Sequence, residues 1–433
     1  MLPWSADLAG RIDEHVITSE LLRGNPLGDP CERPLWVYLP PGYEDDPARS
    51  YPSVYVIQGY TGHVTMWRNR SAYRQPFPET ADAVFAGGQA PPAIVVYADA
   101  WTAYGGSQFV DSPGTGQYHS YLCDEVVPWV DGRYRTLAAA GHRAIMGKSS
   151  GGFGAMITPM LRPDLFGALA THAGDSLYEL CYVPEFGKDV RHLRDYDGDI
   201  WRWWADFRSR TSFTKEADMD LLMLLGVAAC FSADPDGTVE LPFDPRTGVL
   251  RPQVWQRWLD WDPVRMVPRY AGELRSLRAI WIDAGIRDEW FLDVGAQAFR
   301  AALREAGVPD EVIHFELFEA GHMGIDYRYP LSLAWLCQPT TTALRAPAAM
   351  LMARLCRHPD SLFRLWYLAI PKPAMVKAVN TPMAYSGTRL LTFGPLMMIR
   401  AIETMVSPMI AFENTSRCPR LSSQRGRKAS PAT

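Results

Sequence analysis

Paired cysteines are missing from this sequence. Its seven cysteines form no CxxC pair, and their number is odd. A disulfide-stapled secreted domain and a cysteine-based zinc site both need regular cysteine spacing, so we expect reduced thiols in preference to disulfides or metal ligands. The seven are Cys31, Cys123, Cys181, Cys230, Cys337, Cys356 and Cys418.

A long uninterrupted apolar run is also missing. The first residues, MLPWSADLAGRIDEHV, are partly acidic and contain no apolar stretch of signal-peptide length. The most apolar late stretch, residues 390–412, is broken by Arg400, Glu403 and two prolines, which excludes one continuous membrane-spanning helix there. We therefore expect a cytoplasmic protein, unless a misassigned start codon hides a leader.

Positive charge is scarce overall and concentrated at one end of the chain. The formal net charge is −5, so nucleic acid is not an expected partner. Residues 340–433 hold 13 Lys and Arg against 3 Asp and Glu, a net charge of +10, which leaves −15 for residues 1–339. Such opposite charges indicate different structural roles for the two segments.

The composition is that of a folded protein. With 47% hydrophobic and 21% charged residues, the sequence excludes disorder of the whole chain. Its 433 residues exceed what one hydrophobic core usually supports. We therefore expect a large domain with insertions, or one domain with an appendage.

Short β-branched and aromatic runs alternate with helical stretches through the first 340 residues. This alternation predicts an α/β fold with a mainly parallel central sheet flanked by helices. Helices are expected at residues 121–130 and after residue 149, the second extending to about residue 161. The predicted strands are residues 33–39, 53–58, 93–97, 143–146, 168–172, 279–283 and 312–318.

The alternation of predicted strands and helices stops near residue 340. It divides the chain into a catalytic domain, residues 1–340, and a basic extension, residues 341–433. Within the domain, residues 175–275 form a gap too long for an ordinary connection, and their six tryptophans predict a packed insertion that caps the carboxyl edge of the sheet. We expect the extension to be partly helical, with disordered last residues. An accessory or poorly ordered segment is more typical of this composition than a membrane-binding one.

The pentapeptide Gly147-Lys148-Ser149-Ser150-Gly151 follows a predicted strand and opens a predicted helix. Glycines two positions before and after a serine allow the tight strand-to-helix turn that exposes a nucleophilic hydroxyl. Ser149 is therefore the candidate nucleophile. A glycine turn needed only for helix packing is the alternative, whereas the phosphate-binding GxxxxGK[ST] loop is disfavoured because its first glycine is missing.

An attacking serine also needs donors for the oxyanion that its reaction creates. One is expected from the backbone N–H of Ser150, directly after the nucleophile, and a second from the loop after an earlier strand. Gly59-Tyr60, at the end of the strand at 53–58, is the natural source, through the Tyr60 N–H. A plain glycine-containing turn is the alternative for this loop.

A base and an acid are expected after later strands. His322 lies between glycines in the loop after the last predicted strand, which makes it the candidate base, with a solvated loop histidine as the alternative. Asp288, three residues past Gly285, is the preferred carboxylate, and Asp283 and Glu289 stay open as alternatives. The chain order Ser, Asp, His is the order of α/β-hydrolases.

Four stretches of the sequence resemble the esterase D and enterochelin-esterase group of the α/β-hydrolases, which is related to mycolyltransferases and feruloyl esterases. They resemble the group's second strand (WVYLPPGY, 36–43), the helix before the elbow (DEVVPWVDGRYRT, 124–136), the nucleophile elbow (IMGKSSGGFGAM, 145–156) and the histidine loop (AGHMGIDY, 320–327). Gln58-Gly59 replaces a frequent His-Gly, and the formylglutathione-hydrolase version of that loop is absent, which disfavours that activity.

The resemblance implies a serine esterase that acts on a small-molecule ester through an acyl-enzyme, with no cofactor and no metal. An acyltransferase that passes the acyl group to a sugar or another alcohol is the second hypothesis, motivated by the Trp-rich insertion. A non-catalytic binding module is the third, and the candidate triad argues against it.

Overall fold

An eight-stranded sheet lies at the centre of residues 7–72 and 74–338, the part of the chain that the computed structural model describes. The strands, with a separate two-stranded hairpin formed by β5 and β6, are β1 (Arg11–Thr18), β2 (Glu32–Leu39), β3 (Ser53–Ile57), β4 (Ile94–Ala98), β5 (Asp111–Ser112), β6 (Gly116–Gln117), β7 (Arg143–Ser149), β8 (Ala168–Gly174), β9 (Ala279–Gly285) and β10 (Ile313–Phe318).

The strand order in the main sheet is β1-β2-β4-β3-β7-β8-β9-β10. Every neighbouring pair from β4 to β10 is parallel, while β2 is antiparallel to both β1 and β4. The sheet is thus mainly parallel, as predicted, and the carboxyl ends of its parallel strands meet at one edge.

Helices cover both faces of this sheet. In the described part of the chain they are α1 (Phe77–Ala86), α2 (Tyr118–Ser120), α3 (Val127–Asp131), α4 (Ser150–Leu161), α5 (Tyr178–Cys181), α6 (Val183–Leu193), α7 (Ile200–Ser209), α8 (Ala217–Phe231), α9 (Pro252–Leu259), α10 (Pro263–Met266), α11 (Ala271–Arg275), α12 (Leu292–Glu305) and α13 (Arg328–Leu336).

Burial on both faces explains why the inner strands are continuous apolar runs. In β4, Ile94 and Val96 belong to the hydrophobic cluster on one face, and Val95 and Tyr97 belong to the cluster on the other. All four are fully buried. A strand that is covered on both sides cannot alternate polar and apolar residues, as half-exposed strands do.

The seven predicted strands are all present, with ends that differ by a few residues. The sequence analysis missed β1, whose residues RIDEHVIT are largely polar and mostly exposed or half-buried, because an exposed edge strand lacks the apolar signal. It also missed the hairpin of β5 and β6. The predicted helix at 121–130 is part of a longer helical segment in which a wide turn, Tyr121–Val126, connects α2 to α3.

The chain between β8 and β9 is helical. It contains α5 to α11, and two of its tryptophans, Trp203 and Trp258, are fully buried. Trp201, by contrast, is 43% exposed. The residues therefore form a packed segment, while the exact limits of a cap and of the catalytic domain stay a prediction.

Several other expectations meet the structure only in part. The five cysteines in the described residues are free. No helix within those residues combines the length and the apolar character needed to cross a membrane. The predictions for the basic extension, including its partial helicity and its disordered end, fall on residues outside the described part of the chain.

Candidate active site

Ser149 occupies the junction between β7 and α4. Its backbone has φ 58° and ψ −127°, a conformation that non-glycine residues rarely adopt and that is typical of strained functional turns. The turn results from a direct change from strand to helix with no loop between them. This geometry lifts the serine side chain clear of the backbone, as a nucleophile requires.

The flanking glycines are needed because backbone segments touch at this turn. A Cβ on Gly147 would lie 2.4 Å from the carbonyl oxygen of Gly151, and a Cβ on Gly151 would lie 2.5 Å from that of Ile57. Both contacts involve backbone atoms, which cannot move aside as a flexible side chain can. The two glycines therefore serve close approach between β3, β7 and α4.

His322 and Asp288 form a buried pair at the same edge of the sheet. The Nδ1 atom of His322 lies 2.8 Å from Oδ2 of Asp288, and both residues are 5% exposed. The backbone N–H of Trp290 donates to the other oxygen of Asp288 at 3.0 Å. The Trp290 ring also contacts the imidazole edge-on, with centroids 4.8 Å apart. The carboxylate and the indole together fix the orientation of the imidazole ring.

The two alternative acids have other partners. Asp283 is fully buried and pairs with Nδ1 of His172 at 2.6 Å and with Nε of Arg328 at 2.8 Å. Glu289 accepts the backbone N–H of His322 at 2.7 Å. Asp283 therefore joins β8, β9 and α13, whereas Glu289 holds the histidine loop, and only Asp288 among the three is bonded to the His322 ring.

The predicted oxyanion donors lie beside the elbow. Ser150 is the first residue of α4, where backbone N–H groups have no partner within the helix. Gly59 approaches so closely that a Cβ there would lie 3.0 Å from the carbonyl oxygen of Lys148. The phenol of Tyr60 points away from this turn, with carbonyl oxygens of Tyr104 and Leu222 within 2.7 and 2.6 Å of its oxygen. Its side chain anchors the loop to α8.

A cavity of about 520 Å³ brings these residues together. Ser149, Ser150, His322 and the Gly59-Tyr60 loop all line it. Its apolar wall consists of Met66, Met219, Met223, Val227, Trp290, Leu292 and Met323. Three of those residues belong to α8, so the helical segment between β8 and β9 contributes to the wall.

Sequence reasoning missed several charged or polar residues of this cavity, among them Gln108, Lys148 and Asp175. Burial raises the pKa of Asp175 to about 6, and burial lowers the pKa of Lys148 despite nearby carboxylates. Asp175 could have been found, because it directly follows a buried strand and strand ends at the carboxyl edge bear ligand contacts in open α/β sheets. Gln108 follows no strand, and no sequence signal marks it.

The chemistry available to this arrangement is acyl transfer. An imidazole that is fixed by a carboxylate can take the proton of a nearby serine hydroxyl. Backbone N–H groups beside the serine can stabilise the negative charge that develops on the attacked carbonyl oxygen. The apolar wall strengthens both effects by excluding water.

The family model described as "Putative esterase" matches residues 29–328. Among curated proteins, the endo-1,4-β-xylanase/feruloyl esterase of Xylanibacter ruminicola is 28% identical over 165 residues, which are 36% of this chain and 21% of that protein. The chain thus spans about a fifth of the length of this relative.

Solved structures of esterases are also similar. A ferulic acid esterase has 20% identity and a TM-score of 0.49, with 76% of this chain and 98% of that chain covered. An S-formylglutathione hydrolase from Agrobacterium tumefaciens has 16% identity and a TM-score of 0.46, with 78% and 99% covered. Because the family match covers well over half of the sequence, the chain belongs to the esterase family, which has the α/β-hydrolase fold that its mainly parallel sheet displays.

Proposed function

We propose that the protein is a carboxylic ester hydrolase that works through an acyl-enzyme on Ser149. The observation that carries this proposal is that one cavity is lined both by a serine on a strained strand-to-helix turn and by a histidine whose ring is held by a buried carboxylate. Ser149, His322 and Asp288 are the proposed triad. The proposed oxyanion donors are the N–H groups of Ser150 and Tyr60.

The proposed reaction has two halves. In the first, Nε2 of His322 takes the hydroxyl proton while the Ser149 oxygen attacks the ester carbonyl, and the same imidazolium then protonates the departing alcohol. In the second, water loses a proton to His322 and attacks the acyl-enzyme, and the proton returns to Ser149 as the acid leaves. Asp288 keeps Nδ1 protonated throughout, so that Nε2 is free to accept.

The cavity supports a substrate of moderate size. Its volume of about 520 Å³ lies within the range of small-molecule sites. Methionine side chains make up much of its apolar wall, and their flexible thioethers adapt to acyl groups of different shape. Because the curated relative is named a feruloyl esterase, methyl ferulate belongs in the substrate panel beside short aliphatic esters.

Transfer to another alcohol is the less favoured function. The acyltransferase hypothesis depends on an aromatic cavity wall formed by the tryptophans of residues 175–275. Among the described residues, however, the tryptophan that lines the cavity is Trp290, which lies outside that segment. Within the described residues, the segment contributes no tryptophan to the cavity, and its lining residues are Asp175, Cys181, Tyr182, Met219, Asp220, Met223 and Val227. Hydrolysis is therefore the better supported reaction.

The test is the turnover of p-nitrophenyl butyrate by the Ser149→Ala variant. We expect kcat to fall by about 10³-fold or more, because removal of the nucleophile leaves only binding and oxyanion stabilisation. A fluorophosphonate probe should label the wild-type chain and the surface variant Ser71→Ala, but not Ser149→Ala. Undiminished turnover or continued labelling in Ser149→Ala would exclude Ser149 as the nucleophile.

A further inference from the structure

Three carboxylates among the described residues line the cavity and have no part in the proposed reaction: Asp175, Asp220 and Asp326. Asp175 directly follows β8, and its backbone N–H lies 3.4 Å from the carbonyl oxygen of Ser149. It is 7% exposed and lines the same cavity as Ser149 and His322. An acid so near the nucleophile is in a position to contact substrate.

Two neutral side chains hold Asp175 in place. The Tyr182 hydroxyl donates to its Oδ2 at 3.0 Å, and the Gln108 side chain is also hydrogen-bonded to its carboxylate. Among the described residues, no Lys, Arg or His side chain forms an ion pair with the Asp175 carboxylate. Asp175 is thus a buried carboxylate with hydrogen bonds and no direct ion pair, which is an unfavourable arrangement unless a further donor is supplied.

Gln108 is the second side chain that supports this carboxylate. It is 3% exposed and lines the cavity, and its hydrogen bond lowers the pKa of the Asp175 carboxyl against the effect of burial. The Oε1 atom of Gln108 is enclosed and has no hydrogen-bond partner among the described residues. A ligand in the cavity therefore meets Asp175 as the acceptor and Gln108 as its support.

We propose that Asp175, held by Tyr182 and Gln108, forms a hydrogen-bond-accepting subsite that binds a hydroxyl group of the ester substrate. The proposal rests on the proposed function and narrows its substrate class to esters that carry a hydroxyl near the reacting carbonyl. The acids of the cavity wall already have basic neighbours: Asp326 pairs with Arg74 at 3.2 Å, Asp220 pairs with His192 at 3.1 Å, and the charge of Asp175 acts on Lys148. A neutral hydroxyl group leaves this balance of charge unchanged, whereas an ammonium group would add a cation.

The test compares matched esters. One pair places the hydroxyl in the acyl group, p-nitrophenyl butyrate against p-nitrophenyl 3-hydroxybutyrate, and the other places it in the alcohol, propyl butyrate against 2-hydroxypropyl butyrate. The quantity measured is the ratio of kcat/KM for the hydroxylated ester to that for its plain partner. We expect the wild-type ratio to be at least about tenfold in one pair, because the plain ester leaves the buried carboxylate without the hydrogen bond that the hydroxyl group donates.

The same ratio should fall towards one in Asp175→Ala, and partly in Gln108→Leu and Tyr182→Phe, which keep the carboxylate but each remove one of its supporting hydrogen bonds. Asp220→Asn, at another acid of the cavity that pairs with His192 at 3.1 Å, should keep the wild-type ratio. The Tyr182 and Gln108 variants keep the test open if Asp175→Ala does not fold.

A wild-type ratio near one in both pairs would overturn the proposal, as would a ratio that survives in Asp175→Ala. Preference for p-nitrophenyl 3-aminobutyrate over the hydroxylated ester would overturn the assignment of a hydroxyl. These outcomes are separate from a failure of the proposed function, which would show as turnover of the plain esters by Ser149→Ala.

Discussion

Asp288 and Glu289 are neighbouring carboxylates, and their different partners predict different effects of mutation. Asp288 is bonded to the His322 ring, while Glu289 is bonded to the backbone N–H of the same residue. We expect Asp288→Asn to lower kcat on p-nitrophenyl butyrate by about 10³–10⁴-fold, because the amide favours the wrong tautomer of the imidazole. Steady-state kinetics on the folded variant measure this.

The matched control is Glu289→Gln, which keeps a neutral acceptor for the backbone N–H. Its cost should be about tenfold at most, since a weakened hydrogen bond to a loop amide is worth about 1 kcal/mol. Equal losses in the two variants would contradict the assignment of Asp288 as the residue that orients the base.

The charge of Asp175 should make stability depend on pH. Its pKa rises to about 6 in the folded chain because of burial, against opposing contributions from Tyr182, His322 and Gln108, while the nearby Asp288 raises it further. The folded state therefore holds the proton more tightly than the unfolded state. The resulting stabilisation is fully present below about pH 4 and is lost as the pH rises through 6.

Asp175→Asn removes this titration. In urea unfolding between pH 4 and pH 8, its free energy of unfolding should gain on that of the wild type by up to about 3 kcal/mol as the pH rises, since each pKa unit corresponds to about 1.4 kcal/mol. A difference in the free energy of unfolding that does not change with pH would contradict this prediction. It would show that Asp175 ionises normally and that the variant differs only in its hydrogen bond to Tyr182.

Single residues show where sequence reasoning stops. Loop position was enough to prefer Asp288, because the residue lies past a glycine at a strand end. It could not reveal that Asp283 is engaged by His172 and Arg328, since those contacts join residues 111 and 45 positions apart. It also gave no reason to notice Gln108. Long-range partners are a property of the fold and leave no local pattern.

At the scale of elements, an alanine in place of Gly151, at the junction of β7 and α4, has two opposite effects on stability. Helix propensity alone predicts a gain of about 1 kcal/mol in the first turn of α4. Steric contact predicts a loss, because the new Cβ would meet the carbonyl oxygens of Ile57 and Gln58 at 2.5 and 2.7 Å. Backbone atoms cannot yield cheaply, so we expect Gly151→Ala to destabilise the chain by about 1–3 kcal/mol.

The measurement is the urea midpoint of Gly151→Ala, with Gly141→Ala as control. A Cβ at Gly141 would have no heavy atom within 4 Å, so that variant should unfold near the wild-type midpoint. An unchanged or higher midpoint for Gly151→Ala would mean that the elbow does not require contact between β3 and α4.

Elements differ in how well the sequence predicted them, and the reason is burial. Inner strands such as β3 and β4 are covered on both faces, so their apolar runs were visible. The edge strand β1 is held by its pairing with β2 along its whole length, and its own residues are largely polar. Its stability comes from backbone hydrogen bonds to a neighbour, which composition does not encode.

At the scale of the whole molecule, the chain has two parts of opposite charge, and the described residues of the candidate site belong to the acidic part. Among the described residues, those that line the cavity lie between Gly59 and Tyr329, and the family match ends at residue 328. We propose that residues 1–340 form the catalytic domain. The basic extension would then be an accessory to it.

Ending the chain at Gln338 tests this division. We expect kcat/KM on p-nitrophenyl butyrate and the urea midpoint to match those of the full chain, because the cavity residues, the strands and the covering helices that the structure describes all lie before residue 339. The isoelectric point should drop below the value of about 6.0 for the whole sequence, since thirteen basic residues are removed with three acids.

Cosedimentation with anionic vesicles should be equal for the two proteins if the extension is accessory, whereas binding by the full chain alone would assign it to a membrane surface. A shortened chain that folds but loses turnover would instead place residues 339–433 in the catalytic unit.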